Sequence, residues 1–134
     1  QKTAYEISTG MTHIVAAMEQ HGVRRLIQSV GAGVGDPQDE PGLFDRLIKV
    51  ALKIASRYVY DDMVRTAGII RASDLDWTLV RVPMLTDDPP TGNVKAGYLG
   101  TGVGPRISRA DMAAFMLDQV DDGTYLRQAP VISN

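Results

Sequence analysis

Three groups of side chains in this sequence have types suited to chemistry, and their spacing decides what each can do. The glycines of Gly31-Ala32-Gly33-Val34-Gly35 would suit a phosphate cradle, in which backbone amides between a strand and a helix amino terminus converge on an anion. Asp36, Asp39 and Glu40 follow at once, however, Pro37 and Pro41 intervene, and no lysine stands among the glycines. That negative charge would repel a phosphate, and a mobile loop at a strand's carboxyl end is the simpler expectation. His13 and His21 lie eight positions apart with no ligand set completed around them, so no metal site is expected. Asp61 and Asp62 would point about 100° apart on a helix. They read as charge at a helix start, where the dipole favours it, rather than as an acid–base pair. What remains is Arg81 to Thr86, at the carboxyl end of an apolar run, where open α/β sheets collect their ligands.

The elements that must position these residues are legible from periodicity. Trp77 to Val82 is aromatic, β-branched or aliphatic almost without a break, the pattern of a parallel strand covered by helices on both faces. Val23 to Val30 gives a second, shorter strand signal. Met11, Ile14, Val15 and Met18 follow the helical period after a cap at Ser8 or Thr9, and Gly22 ends that helix. A long helical region runs from Leu43 to Ser73, with an irregularity near Tyr58 to Tyr60. Its first half carries an apolar stripe wide enough to be packed on more than one side, in the core or against a second subunit. Asn93 to Leu99 reads as a short strand or extended arm. Ser108 caps a last helix, with Asp111 completing a capping-box-like arrangement, and Ala129 to Ile132 is expected as a small edge strand. Helices alternating with parallel strands make the fold class α/β.

With 134 residues, the chain amounts to one domain. Hydrophobic residues at 44% and charged residues at 22% are ordinary for a globular protein, and a net charge of −2 supplies no basic field for nucleic acid or anionic lipid. No nucleic-acid or membrane partner is expected, and no apolar run reaches the roughly 20 residues that span a bilayer. The absence of cysteine excludes disulfides and thiol chemistry and fits a reducing compartment, so a cytoplasmic location is expected. Beginning at Gln1 rather than methionine, the chain is expected to be a piece of something longer.

Several segments, taken in order, resemble the carboxyl-terminal part of an atypical short-chain dehydrogenase/reductase of the NAD(P)H-binding group, which includes NmrA-like and biliverdin reductase B (flavin reductase)-like proteins. They are His21 to Ser29, Ile70 to Arg81, Leu85-Thr86-Asp87 with Thr91-Gly92, and Ile107 to Ala113. The resemblance implies one partial NAD(P)-binding domain over residues 1–134, the carboxyl-terminal half of a Rossmann-like doubly wound parallel sheet. Roughly four earlier strands and the glycine-rich pyrophosphate turn are missing. By the same resemblance Ser29 corresponds to a serine ending the active-site strand. A one-residue shift would put Val30 or Gly31 there instead, and a strand-end serine satisfied by backbone competes with a catalytic one. Val82, Pro83, Met84 and Leu85 are the expected cofactor-binding segment, lying near Ser29 at the ends of two adjacent parallel strands. The family's Tyr-x-x-x-Lys dyad is absent, since Tyr58 is followed four residues on by Asp62 and Tyr60 by Val64, and Met63 stands where relatives often have lysine or histidine.

The implied function is a piece of an oxidoreductase moving hydride from a nicotinamide to a small-molecule acceptor such as a flavin or quinone. The alternatives are a non-catalytic, nucleotide-sensing NmrA-like regulator, or a structural module. NAD(P) is expected to bind the longer parent and not this chain alone. A sheet edge left open by the missing strands is expected to make the chain a homo-oligomer.

Overall fold

The computed structural model describes residues 5–134. Its elements in chain order are α1 (Glu6–His21), β1 (Arg25–Gly31), α2 (Leu43–Ala55), α3 (Arg57–Ala72), β2 (Asp76–Val82), β3 (Met84–Thr86), β4 (Lys95–Gly97), β5 (Arg106–Ser108), α4 (Arg109–Asp118) and β6 (Val131–Ser133). The main sheet has the order β1-β2-β6-β4, and β3 and β5 form a separate parallel pair. β1 and β2 run parallel in register from Arg25 opposite Asp76 to Gly31 opposite Val82. Trp77 to Arg81 are buried one after another, as a strand covered on both faces requires.

Alternation along β1 and β2 divides the core in two. Val30, Trp77 and Leu79 face α1 and α3, where Met11, Val15, Ala67 and Ile70 meet them. Val80 turns to the other face with Ile107 and Ile132, and Ile27, Val82, Leu85, Met112 and Phe115 pack around that smaller cluster.

Four expectations change. The last apolar run is no edge: β6 lies between β2, which it joins in parallel at Arg81 opposite Val131, and antiparallel β4. Three residues announce a strand, but their place in a sheet depends on distant partners. The helical region breaks at Ser56, ahead of Tyr58. The apolar stripe of its first half is not in the core, because no residue of α2 is buried, which leaves the second-subunit alternative. α1 begins at Glu6, before the expected caps, and its amino terminus is held from outside: Ile7 N donates to Asp62 Oδ2 (3.0 Å) and Ser8 N to Asp62 Oδ1 (2.9 Å).

Asp62 is thus not charge at the start of its own helix. It is a buried cap, borrowed from the middle of α3, for the orphan amides of α1. Asp111 plays a comparable part on the other side of the sheet. It accepts from the backbone of Thr91 (2.8 Å) and Gly92 (3.1 Å), from the Thr91 hydroxyl, from Ser108 Oγ, and from Asn134 Nδ2. Ser108 caps α4 as expected, receiving the Asp111 N–H at 3.1 Å.

Both carboxyls lie below their ordinary range. Burial alone would raise Asp62, but the Ser8 and Ile7 donors and nearby Arg65 outweigh it. For Asp111 the Thr91 amide is the main cause; burial opposes it, and Asn134, Gly92 and the Thr91 hydroxyl add to the lowering. A carboxyl depressed by folding gives stability that is complete above its unfolded pKa, about 4, and is lost as pH falls through the folded value. Melting followed by circular dichroism should therefore show a steep loss of stability below about pH 4. Asp62→Asn should cost about 1 kcal/mol at neutral pH and make that acid dependence shallower; an unchanged acid profile would contradict the cap's role.

Candidate functional site

The carboxyl ends of β1 and β2 are adjacent, and the loops that leave them are fixed. Ser29 sits opposite Val80 and Gly31 opposite Val82, and the ladder extends one step further through Ala32 N to Val82 O at 2.8 Å. Residues opposite one another in a parallel pair share a face, so Ser29 lies on the side of Val80 and Val82, the side where Leu85 also packs. Ser29 is half-buried, and among the described residues nothing bonds its hydroxyl; only its carbonyl is used, by Gln28 Nε2 at 2.9 Å. Pro83 is half-buried at the step between β2 and β3. Met84 points outward and is 61% exposed. The structure therefore brings Ser29, Val82 and Leu85 to one side and turns Met84 away from them.

Arg81 is the residue that organises this end. Its side chain is entirely buried, although it emerges from an apolar strand. Nε donates to Ala129 O (2.6 Å) and Nη1 to Val34 O (3.0 Å). The two terminal nitrogens grip Asp39 at 2.7 and 2.8 Å, a bidentate pairing. Asp39 accepts further from the amides of Asp36 (3.0 Å) and Leu99 (3.1 Å). Burial pushes the Asp39 carboxyl up, but the Arg81 hydrogen bonds and charge, with the Leu99 and Asp36 amides, leave it below its usual value. Glu40 N then donates to Leu99 O at 2.8 Å, drawing the two loops so close that a Cβ at Gly100 would stand 2.1 Å from the Glu40 carbonyl oxygen. Gly100 also has φ +86, so only glycine fits there.

The glycine loop, expected as a mobile segment, is tied by these bonds to β2 and to the turn after β4. Asp36 and Asp39 do not present free negative charge either: Arg71 pairs with the first at 3.1 Å and Arg81 with the second. Most of the loop's amides are also unavailable to a pyrophosphate, those of Gly33 and Gly35 excepted. Its amides at Val34, Asp36, Gln38, Asp39, Glu40 and Gly42 are spent on Gly31 O, Asp39, Asp36, Asp36 O, Leu99 O and Asp45 respectively, and do not converge on an anion. Among the described residues no three acidic or histidine groups gather to hold a metal ion.

Sequence reasoning placed Arg81 at the edge of the site without its role. The signal was there: an arginine inside an apolar strand is buried, and a buried charge needs a partner. Met63 is packed by Gly31, its sulfur 3.3 Å from where a Cβ would be, so a thioether lies at the end of β1. Tyr60 is buried with Lys53 Nζ 5.4 Å from its ring centre. Asp39→Ala should leave the Arg81 guanidinium buried without a counter-ion and lower stability by about 3 kcal/mol in urea titration. Amide exchange over residues 31–42 should rise with it, and a loop that stays protected would refute the clamp.

The whole chain can be compared with known proteins on this geometry. A family model described as NAD(P)H-binding matches residues 1–123. A short-chain dehydrogenase/reductase from Veillonella parvula DSM 2008 superposes with a TM-score of 0.78 at 23% identity, over 98% of this chain and 60% of that one. A wide-type short-chain dehydrogenase/reductase from the same organism, solved with NADP, gives 0.74 at 21% identity over 98% and 60%. ChuY, an anaerobillin reductase from Escherichia coli O157:H7, gives 0.70 at 16% identity over 98% and 61%. The chain thus spans about three fifths of the length of each of these proteins. With that match over nearly all of its length and a Rossmann-like, mainly parallel sheet, this chain belongs to the NAD(P)H-binding family.

Proposed function

We propose that this chain is part of an NAD(P)-dependent oxidoreductase, in which it forms one wall of the site where a nicotinamide meets a small acceptor such as a flavin or quinone. The observation that carries the reading is the family match, taken with the adjoining parallel strand ends that put Ser29 beside Val82 and Leu85. The residues present suit the nicotinamide end alone. Ser29 offers a hydroxyl that no intrachain bond claims among the described residues, and Val82, Pro83 and Leu85 offer an apolar shelf to orient a flat ring. The cofactor, when bound, supplies the hydride. The parallel ends stay in place because the Arg81–Asp39 pair fixes the loops beyond them.

A second reading, a nucleotide-sensing regulator without turnover, is favoured by the fate of the position four residues after Tyr58. Asp62 there is committed to the amino terminus of α1 and has no proton to relay. Consumption of NAD(P)H with an artificial acceptor, measured on a polypeptide that includes the glycine-rich turn, separates the two. Under the first reading turnover is seen, and Ser29→Ala lowers it. Under the second there is none. The 134-residue chain by itself, lacking the pyrophosphate cradle, should show no micromolar heat of binding on calorimetric titration with NADPH, because shelf contacts alone do not overcome an association cost of several kcal/mol.

The same reading includes self-association. β1 is the outer strand of its sheet, and neither lysine nor proline guards it. Pairing of two β1 edges would continue the sheet across a twofold axis. Light scattering after size-exclusion chromatography should give a dimer; a species that stays at 14.5 kDa at high concentration and melts cooperatively would refute it.

A further inference from the structure

α2 turns two cations inward. Lys49 Nζ lies 3.4 Å from where a Cβ would stand on Gly35, and Leu52 Cδ1 lies 3.4 Å from the same point on Gly33. Lys53 Nζ sits 5.4 Å from the ring centre of Tyr60, and the edge of that ring comes to 3.8 Å from the Gly33 position. Lys49 and Lys53 are four residues apart and share a face of the helix. That face, the Tyr60 ring and the stretch 33–35 therefore meet at one place, just past the end of β1.

The polar groups gathered there have no partner within the described residues. Neither lysine forms an ion pair, although Lys49 is half-buried. The acids of the neighbouring segments are committed elsewhere: Asp36 to Arg71, Asp39 to Arg81, and Asp61 to Arg57 at 3.8 Å. Asp45, one turn before Lys49, is drawn back onto the Gly42 amide, and the Cβ of exposed Glu40 packs beside Gly100. Tyr60 is only 7% exposed, and no hydrogen bond claims its hydroxyl. Gln119 Oε1 is the one fully buried side-chain polar atom left unbonded, so the Tyr60 hydroxyl is the part of that side chain open to solvent.

A half-buried ammonium without a counter-charge is unfavourable, and the donor set selects the anion that would answer it. Two ammonium groups and a hydroxyl match a group with about two negative charges and three acceptor oxygens, which is a phosphate monoester at neutral pH. A carboxylate brings one charge and two oxygens and leaves a donor unanswered. Lysine serves phosphate as a point charge and needs no fixed fork to do so. We propose that Lys49, Lys53 and the Tyr60 hydroxyl bind the phosphate of a small phosphate monoester where α2 lies against the glycine loop. Side chains above the loop, not the loop's own amides, hold the anion. All three donors come from residues 49–60, and the site rests on no part of the nicotinamide reading.

The test is titration of the chain with inorganic phosphate at constant ionic strength, followed by the Gly33 and Gly35 amide signals in nitrogen–proton NMR. Saturable shifts with a dissociation constant on the order of 1 mM are expected, and acetate at matched ionic strength should not produce them. Lys49→Gln and Lys53→Gln should each weaken phosphate about tenfold. Tyr60→Phe keeps the ring and its packing, so it should weaken phosphate about threefold with an unchanged melt. Arg46→Gln, an exposed position on the same helix outside the cluster, should change nothing. Shifts that do not saturate, or an equal response to acetate, overturn the proposal. So does equal weakening by Arg46→Gln, which would show a diffuse field rather than a built site, or phosphate binding indifferent to the double variant Lys49→Gln with Lys53→Gln. Loss of phosphate binding in a longer polypeptide carrying this sequence also overturns it, because the added residues would then supply the counter-charge.

Discussion

The carboxyl-end half of this domain depends on one buried ion pair. Arg81 leaves the middle of the sheet toward α1 and α3, where an uncompensated guanidinium would be intolerable, and Asp39 is the group that makes its position possible. The compensation is geometric as well as electrostatic. Because Asp39 is gripped through both oxygens, the loop between β1 and α2 cannot rise from the sheet, and because the same carboxylate holds the Leu99 amide, the turn after β4 is drawn onto it. Gly100 follows from this closeness: its bare Cα is what lets the Glu40 carbonyl pass. Strand, two loops and the entry to β6 at Ala129 thus behave as one unit.

Asp62 and Asp111 extend the same device to the two faces of the sheet. Each is a buried carboxylate that collects amide donors from segments far along the chain, Ile7 and Ser8 in one case, Thr91, Gly92 and Asn134 in the other. Charged acceptors form the stronger hydrogen bonds: Asp62 adds them to the apolar contact that α1 and α3 already share, and Asp111 ties the Thr91-Gly92 turn and the chain end to α4. The Asp111 cluster also explains why the Thr91-Gly92 pair and the Ile107 to Ala113 segment occur together among the family-like stretches: one side chain binds both.

What could be read from the sequence divides along this line between local and distant causes. The β2 run, the stop at Gly22 and the Ser108 cap are local patterns, and they stand where periodicity and capping chemistry put them. The adjacency of Ser29 and Val82 needed the resemblance as well. Asp62 looked like charge near a helix start because sequence shows the helix it belongs to and not the helix it serves. β6 looked like an edge because three residues carry no information on strand order. For α2, periodicity revealed an apolar face correctly, yet amphipathicity does not say which way a helix is turned, and here Lys49 and Lys53, not the leucines, face the body.

The glycine loop shows how rigidity and anion binding exclude each other. A phosphate cradle needs amides whose bonding capacity is unspent and aimed at one point. In residues 31–42 most of those amides, though not those of Gly33 and Gly35, close turns, satisfy Asp36, Asp39 and Asp45, or reach Leu99, and Asp36 and Asp39 are already matched with Arg71 and Arg81. Glu40 alone of the loop's acids stays exposed and unpaired among the described residues, and what the loop leaves at the strand ends is the Ser29 hydroxyl and the apolar surface of Val82 and Leu85. Such a surface suits the uncharged faces of an aromatic ring and offers nothing to a diphosphate. Within a nucleotide-binding domain, that division of chemistry supports the proposal that this part of the fold meets the reacting end of the cofactor rather than the end that anchors it.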